Sequence, residues 1–255
     1  MSKDAAKDFG PIAADYAFFE EHSTEAAHDS AAYLAQIRQA VPTAGSIRML
    51  DFGCGSGNFT ARLLKQVSWP PEWLELSLLE PVEAARRQAV SRVAGFTQRP
   101  VTELATLPVD LSERFDIVVA NHVFYYVADL KDQLKRLIDA LAPTGMFLTA
   151  IAGQTNALIE FWIVGFELLN KNIPYNMSED VEQALEQLGA DYQKQPILYE
   201  LTFPDSEQNR MKIIRFLLAN HLSQMPQRPL LDLFDKYRDA GRIVIRTACD
   251  HFTIR

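Results

Sequence analysis

Three glycines that alternate with other residues form the segment of this sequence with the clearest capacity for chemistry. Gly53, Gly55 and Gly57 lie between a short apolar run and a stretch with helical spacing. Because glycine has no Cβ, a ligand can approach the bare backbone at such a turn. The alternative is an ordinary tight connection between a strand and a helix, but three alternating glycines favour a binding turn.

The residues around the turn indicate what kind of ligand it suits. A dinucleotide-binding turn requires Gly-x-Gly-x-x-Gly, and Asn58 occupies the position of the third glycine. Asp51, just before the turn, would repel a pyrophosphate and attract a cation. These residues predict a site for a nucleoside that carries positive charge.

A second carboxylate, Glu80, follows the next apolar run and precedes Pro81. A carboxylate can accept two hydrogen bonds at once, which suits a pair of neighbouring hydroxyl groups. The alternative interpretation is a solvated charge at the end of a strand.

The apolar runs predict the strands and helices that position these residues. Six strands are expected, at 47–52, 74–79, 115–124, 145–152, 192–203 and 242–255. Helices are expected in two pieces over 11–40, and then over 59–67, 81–93, 129–141, 156–170, 178–188 (with Ser178 as its N-cap), 206–222 and 230–240. Strands that alternate with helices favour a parallel sheet that is covered on both faces.

Composition excludes several classes of protein. The 255 residues include 25 Lys+Arg and 33 Asp+Glu, a net charge of −8, which disfavours a nucleic-acid partner. Two cysteines cannot build a disulfide framework, and no metal-ligand set is predicted. The start of the chain is charged where a signal peptide needs apolar residues, and the longest apolar stretch, 158–169, contains two glutamates. These features predict a cytoplasmic protein that has no membrane partner.

The glycine turn with Asp51 resembles the first motif of class I S-adenosylmethionine-dependent methyltransferases. The resemblance covers residues 46–153, and it implies that this turn holds the methionine part of S-adenosylmethionine. It assigns Glu80, followed by Pro81, to the ribose hydroxyls. Residues 102–108 resemble the third-strand segment, with Glu103 and Leu104 against the adenine, although they could form an ordinary loop. Residues 115–124 resemble the fourth motif, which adds Asn121 to the cofactor group.

The resemblance implies a Rossmann-like α/β fold with a mostly parallel seven-stranded sheet and helices on both faces. We expect one domain over 1–255. It would consist of an N-terminal helical cap (1–45), a cofactor-binding core (46–153), and helical insertions with the last two strands (154–255). The helices outside the core are expected to form a lid over a small-molecule acceptor.

The acceptor is predicted from the segment that follows the fourth motif. Residues 121–126 contain no proline, unlike the Pro-Pro-aromatic run of methyltransferases that modify nucleic-acid bases. Residues 18–25, 79–81 and 125–129 resemble histamine N-methyltransferases. That resemblance assigns Glu25 to a cationic amine substrate and places Tyr125 in the active site. His122 is a candidate proton acceptor for an amine, which must lose its proton before attack.

Structural roles remain open for these three residues. Glu25 could be a first-turn carboxylate that the helix dipole favours, Tyr125 a core aromatic, and His122 a structural histidine. Three functions are therefore considered: a methyltransferase for a small amine, an O-methyltransferase for a hydroxyl or carboxylate, and a cofactor-binding protein without transferase activity.

Overall fold

The structure is a computed structural model that describes residues 10–40, 45–108 and 113–255. Its strands, in chain order, are β1 (Ile47–Phe52), β2 (Leu74–Leu79), β3 (Thr102–Leu104), β4 (Phe115–Asn121), β5 (Leu141–Ile151), β6 (Tyr192–Pro204), β7 (Arg238–Asp239) and β8 (Arg242–Ile254). They form one sheet in the order β3-β2-β1-β4-β5-β8-β6, and the two-residue β7 pairs with β8 beside this path.

The sheet is parallel where the glycine turn lies. Strands β1 to β5 pair in parallel, whereas β8 is antiparallel to both β5 and β6. Seven strands therefore form the main path among the described residues, and the late strands extend the sheet instead of starting another. The predicted α/β fold with a mostly parallel seven-stranded sheet is confirmed.

Helices cover both faces of this sheet. They are α1 (Ala13–His22), α2 (Glu25–Ala40), α3 (Asn58–Val67), α4 (Glu83–Val93), α5 (Leu130–Asp139), α6 (Ile159–Leu168), α7 (Ser178–Leu188), α8 (Glu207–Leu218) and α9 (Gln227–Asp232). Within the described ranges, none of them combines the length and apolarity needed to cross a bilayer.

The side chains of β1 show why the central strands are apolar on both faces of the sheet. Ile47 and Met49 pack with α3 and α4 on one face, whereas Leu50 and Phe52 join the larger cluster on the other face. A strand covered on both sides buries every side chain, so its sequence does not alternate with polar residues.

Several boundaries differ from the predictions; the predicted helix 230–240, for example, consists of the end of α9, a 3-10 helix at Leu233–Tyr237 and the short strand β7. Strand β4 ends at Asn121 instead of residue 124, because His122 adopts a left-handed φ of +53° and a 3-10 turn follows at Phe124–Tyr126. Ser178 is the first helical residue of α7 and not its N-cap; Met177 caps the helix, and its N–H donates to Asp180. Strand β5 begins at Leu141, earlier than predicted.

The connection between α1 and α2 is fixed to β6. Ser23 forms an isolated antiparallel bridge with Leu201, and the Thr24 N–H donates to the Glu200 carbonyl at 2.9 Å. The Ser23 hydroxyl accepts the N–H of Glu25 at 3.1 Å just before α2 begins. These contacts set the start of α2, and with it the position of Glu25.

Candidate active site

Two of the three glycines in the turn are required by their immediate neighbours. A Cβ on Gly53 would lie 2.2 Å from the Val123 side chain, and one on Gly57 would lie 2.8 Å from the Cα of Ala89. Both glycines have left-handed φ values, +78° and +77°, which residues with a Cβ rarely adopt. Gly53 therefore allows the turn to pack against the residue after His122, and Gly57 allows α3 to approach α4.

Gly55 differs, because it faces open space. A Cβ built on it would meet no described atom within 4 Å outside its chain neighbours, although its φ is +54°. Its N–H donates to Oε2 of Glu80 at 3.1 Å. Free space over bare backbone next to a carboxylate is what a cationic nucleoside requires here.

Asp51 is buried next to the turn, with only 3% of its surface exposed. It accepts a hydrogen bond from the Thr60 hydroxyl in the first turn of α3. Burial raises its pKa to about 7, and the charge of Glu80 adds to this, whereas the Thr60 hydrogen bond opposes it. Asp51 therefore ties β1 to α3, and its charge depends on pH near neutrality.

Glu80 lies where the ends of β2 and β3 meet. Its Oε1 accepts the N–H of Val82 at 2.9 Å, so both carboxylate oxygens contact backbone donors. Leu104 contributes its carbonyl, which accepts the Glu80 N–H at 3.0 Å. Pro81 is exposed, and Glu103 is 3.7 Å from Nε of Arg86. Each carboxylate oxygen has two lone pairs, so Glu80 retains capacity for a ligand's hydroxyl groups.

The three residues predicted to be catalytic meet at the end of β4. Glu25 and Asp29 are one turn apart on α2, and His122 lies against both carboxylates. Its Nε2 is 3.0 Å from Oδ2 of Asp29 and 3.6 Å from Oε2 of Glu25. Its Nδ1 is 3.3 Å from the hydroxyl of Tyr125. The Tyr125 hydroxyl in turn accepts the N–H of Ala152 at 2.6 Å, which fixes its orientation.

Further buried groups, which the sequence did not indicate, complete this site. The Cys249 thiol donates to Oε1 of Glu25 at 3.3 Å, and Nε2 of His251 is 2.8 Å from Oδ1 of Asp29. Tyr199 also hydrogen-bonds to Glu25. We call Glu25, Asp29, His122, Tyr125, Cys249 and His251 the acid network. A possible signal was the i, i+4 spacing of Glu25 and Asp29, which places both on one helix face.

Asn121, which was predicted to bind the cofactor, lies against the acid network. Its side-chain oxygen accepts the Tyr33 hydroxyl at 2.9 Å, and its amide nitrogen is 3.4 Å from Oδ2 of Asp29. Both polar ends of the side chain therefore have protein partners, and its cofactor contact stays a prediction.

The charges of the acid network depend on one another. Burial alone would lower the pKa of His122, but Glu25 and Asp29 raise it to about 9. Burial would raise the pKa of Asp29, yet His122 and His251 hold it below its ordinary value. Burial raises the pKa of Glu25 despite the opposing charge of His122. At neutral pH the network therefore holds an imidazolium between two acidic groups.

Aromatic side chains from the predicted lid pack around the acid network. Tyr125 meets Trp162 of α6 at 5.4 Å between ring centroids, and Trp162 meets Tyr175 at 4.6 Å. Phe19 of α1 stacks on Phe216 of α8 at 4.6 Å. Helices before and after the core thus pack over the end of β4.

Comparison with known proteins gives a consistent result for the central part of the chain. Residues 50–147 match a family model described as a methyltransferase domain. A trans-aconitate 2-methyltransferase from Rhodopseudomonas palustris (strain BisA53) is 32% identical over 148 residues, covering 57% of this chain and 52% of that protein. A ubiquinone biosynthesis O-methyltransferase from Rhodopseudomonas palustris (strain BisB5) is 28% identical over 155 residues, covering 56% and 58%. The chain thus spans about half the length of the curated relatives that it matches.

Solved structures share the fold over most of the chain. A putative methyltransferase from Bacillus halodurans C-125 has a TM-score of 0.57 at 14% identity, covering 87% of this chain and 97% of that one. The plantazolicin methyltransferase BpumL, solved in complex with SAH, has a TM-score of 0.56 at 12% identity, covering 96% and 89%. The solved structures therefore show that the chain has the fold of these proteins, and its central part, residues 50–147, matches a methyltransferase domain.

Proposed function

We propose that this protein transfers a methyl group from S-adenosylmethionine to the nitrogen of a small amine. The observation that carries the proposal is the acid network at the end of β4, where two buried carboxylates of α2 face one imidazolium. Val123, the residue after His122, packs against Gly53. The acid network is therefore adjacent to the turn that is assigned to the cofactor.

On the cofactor side, the backbone at Gly55 and the carboxylate of Glu80 are proposed to bind S-adenosylmethionine. The cofactor supplies a methyl group on a positively charged sulfonium. Asp51 contributes negative charge behind the turn, which favours a cation over a pyrophosphate. The role of these residues is to hold the donor still, so that catalysis comes from proximity and orientation.

On the acceptor side, the sign of the charge favours an amine. Two acidic side chains, Glu25 and Asp29, line this site, which favours an ammonium group over a carboxylate as the bound acceptor. Trans-aconitate and malonyl-[acyl-carrier protein] appear in the names of relatives, and both acceptors are anionic. The acid network argues against acceptors of that charge for this chain.

Each catalytic candidate then has a separate role. Glu25 binds the amine and is the nearest group to take its proton, since burial raises its pKa above the ordinary range of a carboxyl. His122 is already protonated at neutral pH, so it orients Glu25 instead of acting as the base. Tyr125 is a positioning residue, because its hydroxyl contacts Nδ1 of His122.

The test is a methylation assay with a labelled methyl donor and a panel of amines, alcohols, phenols and carboxylic acids. We expect amines to be methylated, and Glu25→Gln to lower kcat/KM by about 100-fold or more while cofactor binding stays unchanged. Glu160→Gln, on the surface of α6 beside Lys236, is the matched control. Methylation of alcohols or phenols alone would establish an O-methyltransferase, and cofactor binding without turnover would establish a binding protein.

A further inference from the structure

Three potential metal ligands lie together inside the acid network. Atoms of Glu25, His122 and Cys249 all lie within 4.8 Å of one another. Asp29 lies beside this group, and its Oδ2 is 3.0 Å from Nε2 of His122. Tetrahedral Zn²⁺, with bonds of about 2.0 Å to nitrogen or oxygen and about 2.3 Å to sulfur, separates its ligand atoms by about 3.3–3.8 Å. Oε2 of Glu25 is 3.6 Å from Nε2 of His122, and its other oxygen, Oε1, is 3.3 Å from Sγ of Cys249, so the carboxylate faces both of the other ligands.

We propose that Glu25, His122 and Cys249 form a three-ligand binding site, beside Asp29, for a divalent transition metal such as Zn²⁺, and that this ion and the acceptor amine compete for Glu25. Imidazole, thiolate and carboxylate are the ligand types that Zn²⁺ takes in proteins, whereas Mg²⁺ and Ca²⁺ require oxygen alone. The single sulfur ligand favours Zn²⁺ over Mg²⁺ and Ca²⁺. It also gives a Co²⁺ complex an absorption band that the test can measure.

A shell of hydrogen bonds holds the ligands from behind, as established metal sites require. The Tyr125 hydroxyl contacts Nδ1 of His122, and Nε2 of His251 contacts Oδ1 of Asp29. The amide of Asn156 points at the Cys249 sulfur at 3.6 Å, a contact that suits a thiolate. Each ligand therefore has one face toward the common centre and another that is tied to the fold.

The burial of the acidic side chains favours the binding of a cation. The side chains of Glu25 and Asp29 are 14% and 2% exposed, and Cys249 is 1% exposed. Two carboxylates in a nearly closed site are costly without nearby positive charge. A divalent ion bound between these side chains would supply that charge.

The experiment uses Co²⁺, which occupies Zn²⁺ sites and reports its ligands by absorption. Full-length protein freed of metal with a chelator is titrated with Co²⁺. We expect a near-ultraviolet band for sulfur-to-cobalt charge transfer, together with visible bands of tetrahedral cobalt. Adding Zn²⁺ should abolish all of them.

Cysteine variants identify the sulfur ligand. Cys249→Ser should lose the charge-transfer band, whereas Cys54→Ser should keep it, since Cys54 lies in the glycine turn. Tyr125→Phe should weaken Co²⁺ binding by about 10- to 100-fold, because it removes the hydroxyl that contacts Nδ1 of His122. Circular dichroism confirms that each variant is folded.

The outcomes are decisive for the site. Absence of the charge-transfer band in the unmodified protein, or its survival in Cys249→Ser, overturns the proposal. Its failure is distinguishable from failure of the proposed function. Methylation of amines without cobalt bands refutes only the metal site, and cobalt bands without methylation of any acceptor refute only the transferase.

Discussion

The glycine turn and the acid network are adjacent in the fold but are built in opposite ways. The turn depends on the backbone of five consecutive residues, 53–57, and on the absence of three side chains. The acid network depends on side chains from α2, from the end of β4 and from β8. Its thiol–carboxylate contact joins residues 224 positions apart.

This difference determines which substitutions disrupt each region. Added atoms disrupt the turn, because its packing leaves no room for a Cβ at Gly53. Removed charges disrupt the acid network, because a buried ion that loses its partner retains its desolvation cost. Substitutions in the two regions should therefore change different quantities.

The largest effect on stability is expected from Asp29→Asn. Asp29 is 1% exposed and faces both His122 and His251, so this change leaves a buried imidazolium short of a counter-charge. The free energy of unfolding should fall by about 3–5 kcal/mol, measured by urea denaturation at neutral pH. Asp139→Asn removes an exposed carboxylate paired with Lys135 and should change it by less than about 0.5 kcal/mol. Equal effects of the two variants would contradict the charged network.

The next largest effect is expected from Gly53→Ala in the turn. The new methyl group would overlap Val123 and would hold alanine at a left-handed φ, together costing about 2–5 kcal/mol. Adding Val123→Ala should restore the overpacking part of this loss. Gly55→Ala is the control, since its Cβ meets open space and only the backbone cost of about 1–2 kcal/mol applies. If Gly53→Ala and Gly55→Ala were equally stable, the close contact with Val123 would be irrelevant.

Much of the fold could be predicted because its signals are local. Strands β1 and β2 begin and end where their apolar runs do, and the alternation of strands and helices indicates the parallel sheet. The end of β4 could not be predicted from its apolar run. Val123 and Phe124 are again apolar after Asn121 and His122, so the pattern favours a longer strand, but the left-handed conformation of His122 ends it.

The candidate site likewise has a part that local sequence predicts and a part that it does not. The cofactor residues belong to short motifs, so the sequence indicates Gly53, Gly55, Gly57 and Glu80 directly. Asp29, Cys249 and His251 have no motif, and only the tertiary structure brings them to Glu25 and His122. These residues matter because they are buried together in a charged site. No local stretch of sequence encodes that burial.

The cofactor side of the comparison is tested by Glu80→Ala. Removing a charged hydrogen-bond acceptor should weaken S-adenosylmethionine binding by about 2–3 kcal/mol, or about 30- to 150-fold, in calorimetry. Glu83→Ala, three residues later and paired with Arg87 at the surface, should bind normally. Unchanged affinity in Glu80→Ala would remove Glu80 from the ribose assignment without affecting the acid network.

The smallest effect on cofactor affinity concerns the pH dependence of Asp51. Its folded-state pKa of about 7 lies above the unfolded value of about 3.9, so the folded protein holds an extra proton between about pH 4 and pH 7. The stability that this group contributes is therefore complete below about pH 4 and is lost as the pH rises through about 7. A cationic cofactor favours the ionised carboxylate, so its affinity should change in the opposite direction and rise by at most about tenfold between about pH 6 and pH 8.

Asp51→Asn separates this effect from other titrations. The variant cannot ionise at position 51, so its cofactor affinity should vary less with pH than that of the unmodified protein. Its free energy of unfolding should also lose the decline between about pH 4 and pH 7. Calorimetry in two buffers of different ionisation enthalpy would count the protons released on binding below pH 7. If the unmodified protein and the variant release equal numbers of protons, Asp51 does not sense the charge of the ligand, and the glycine turn selects its cofactor by shape alone.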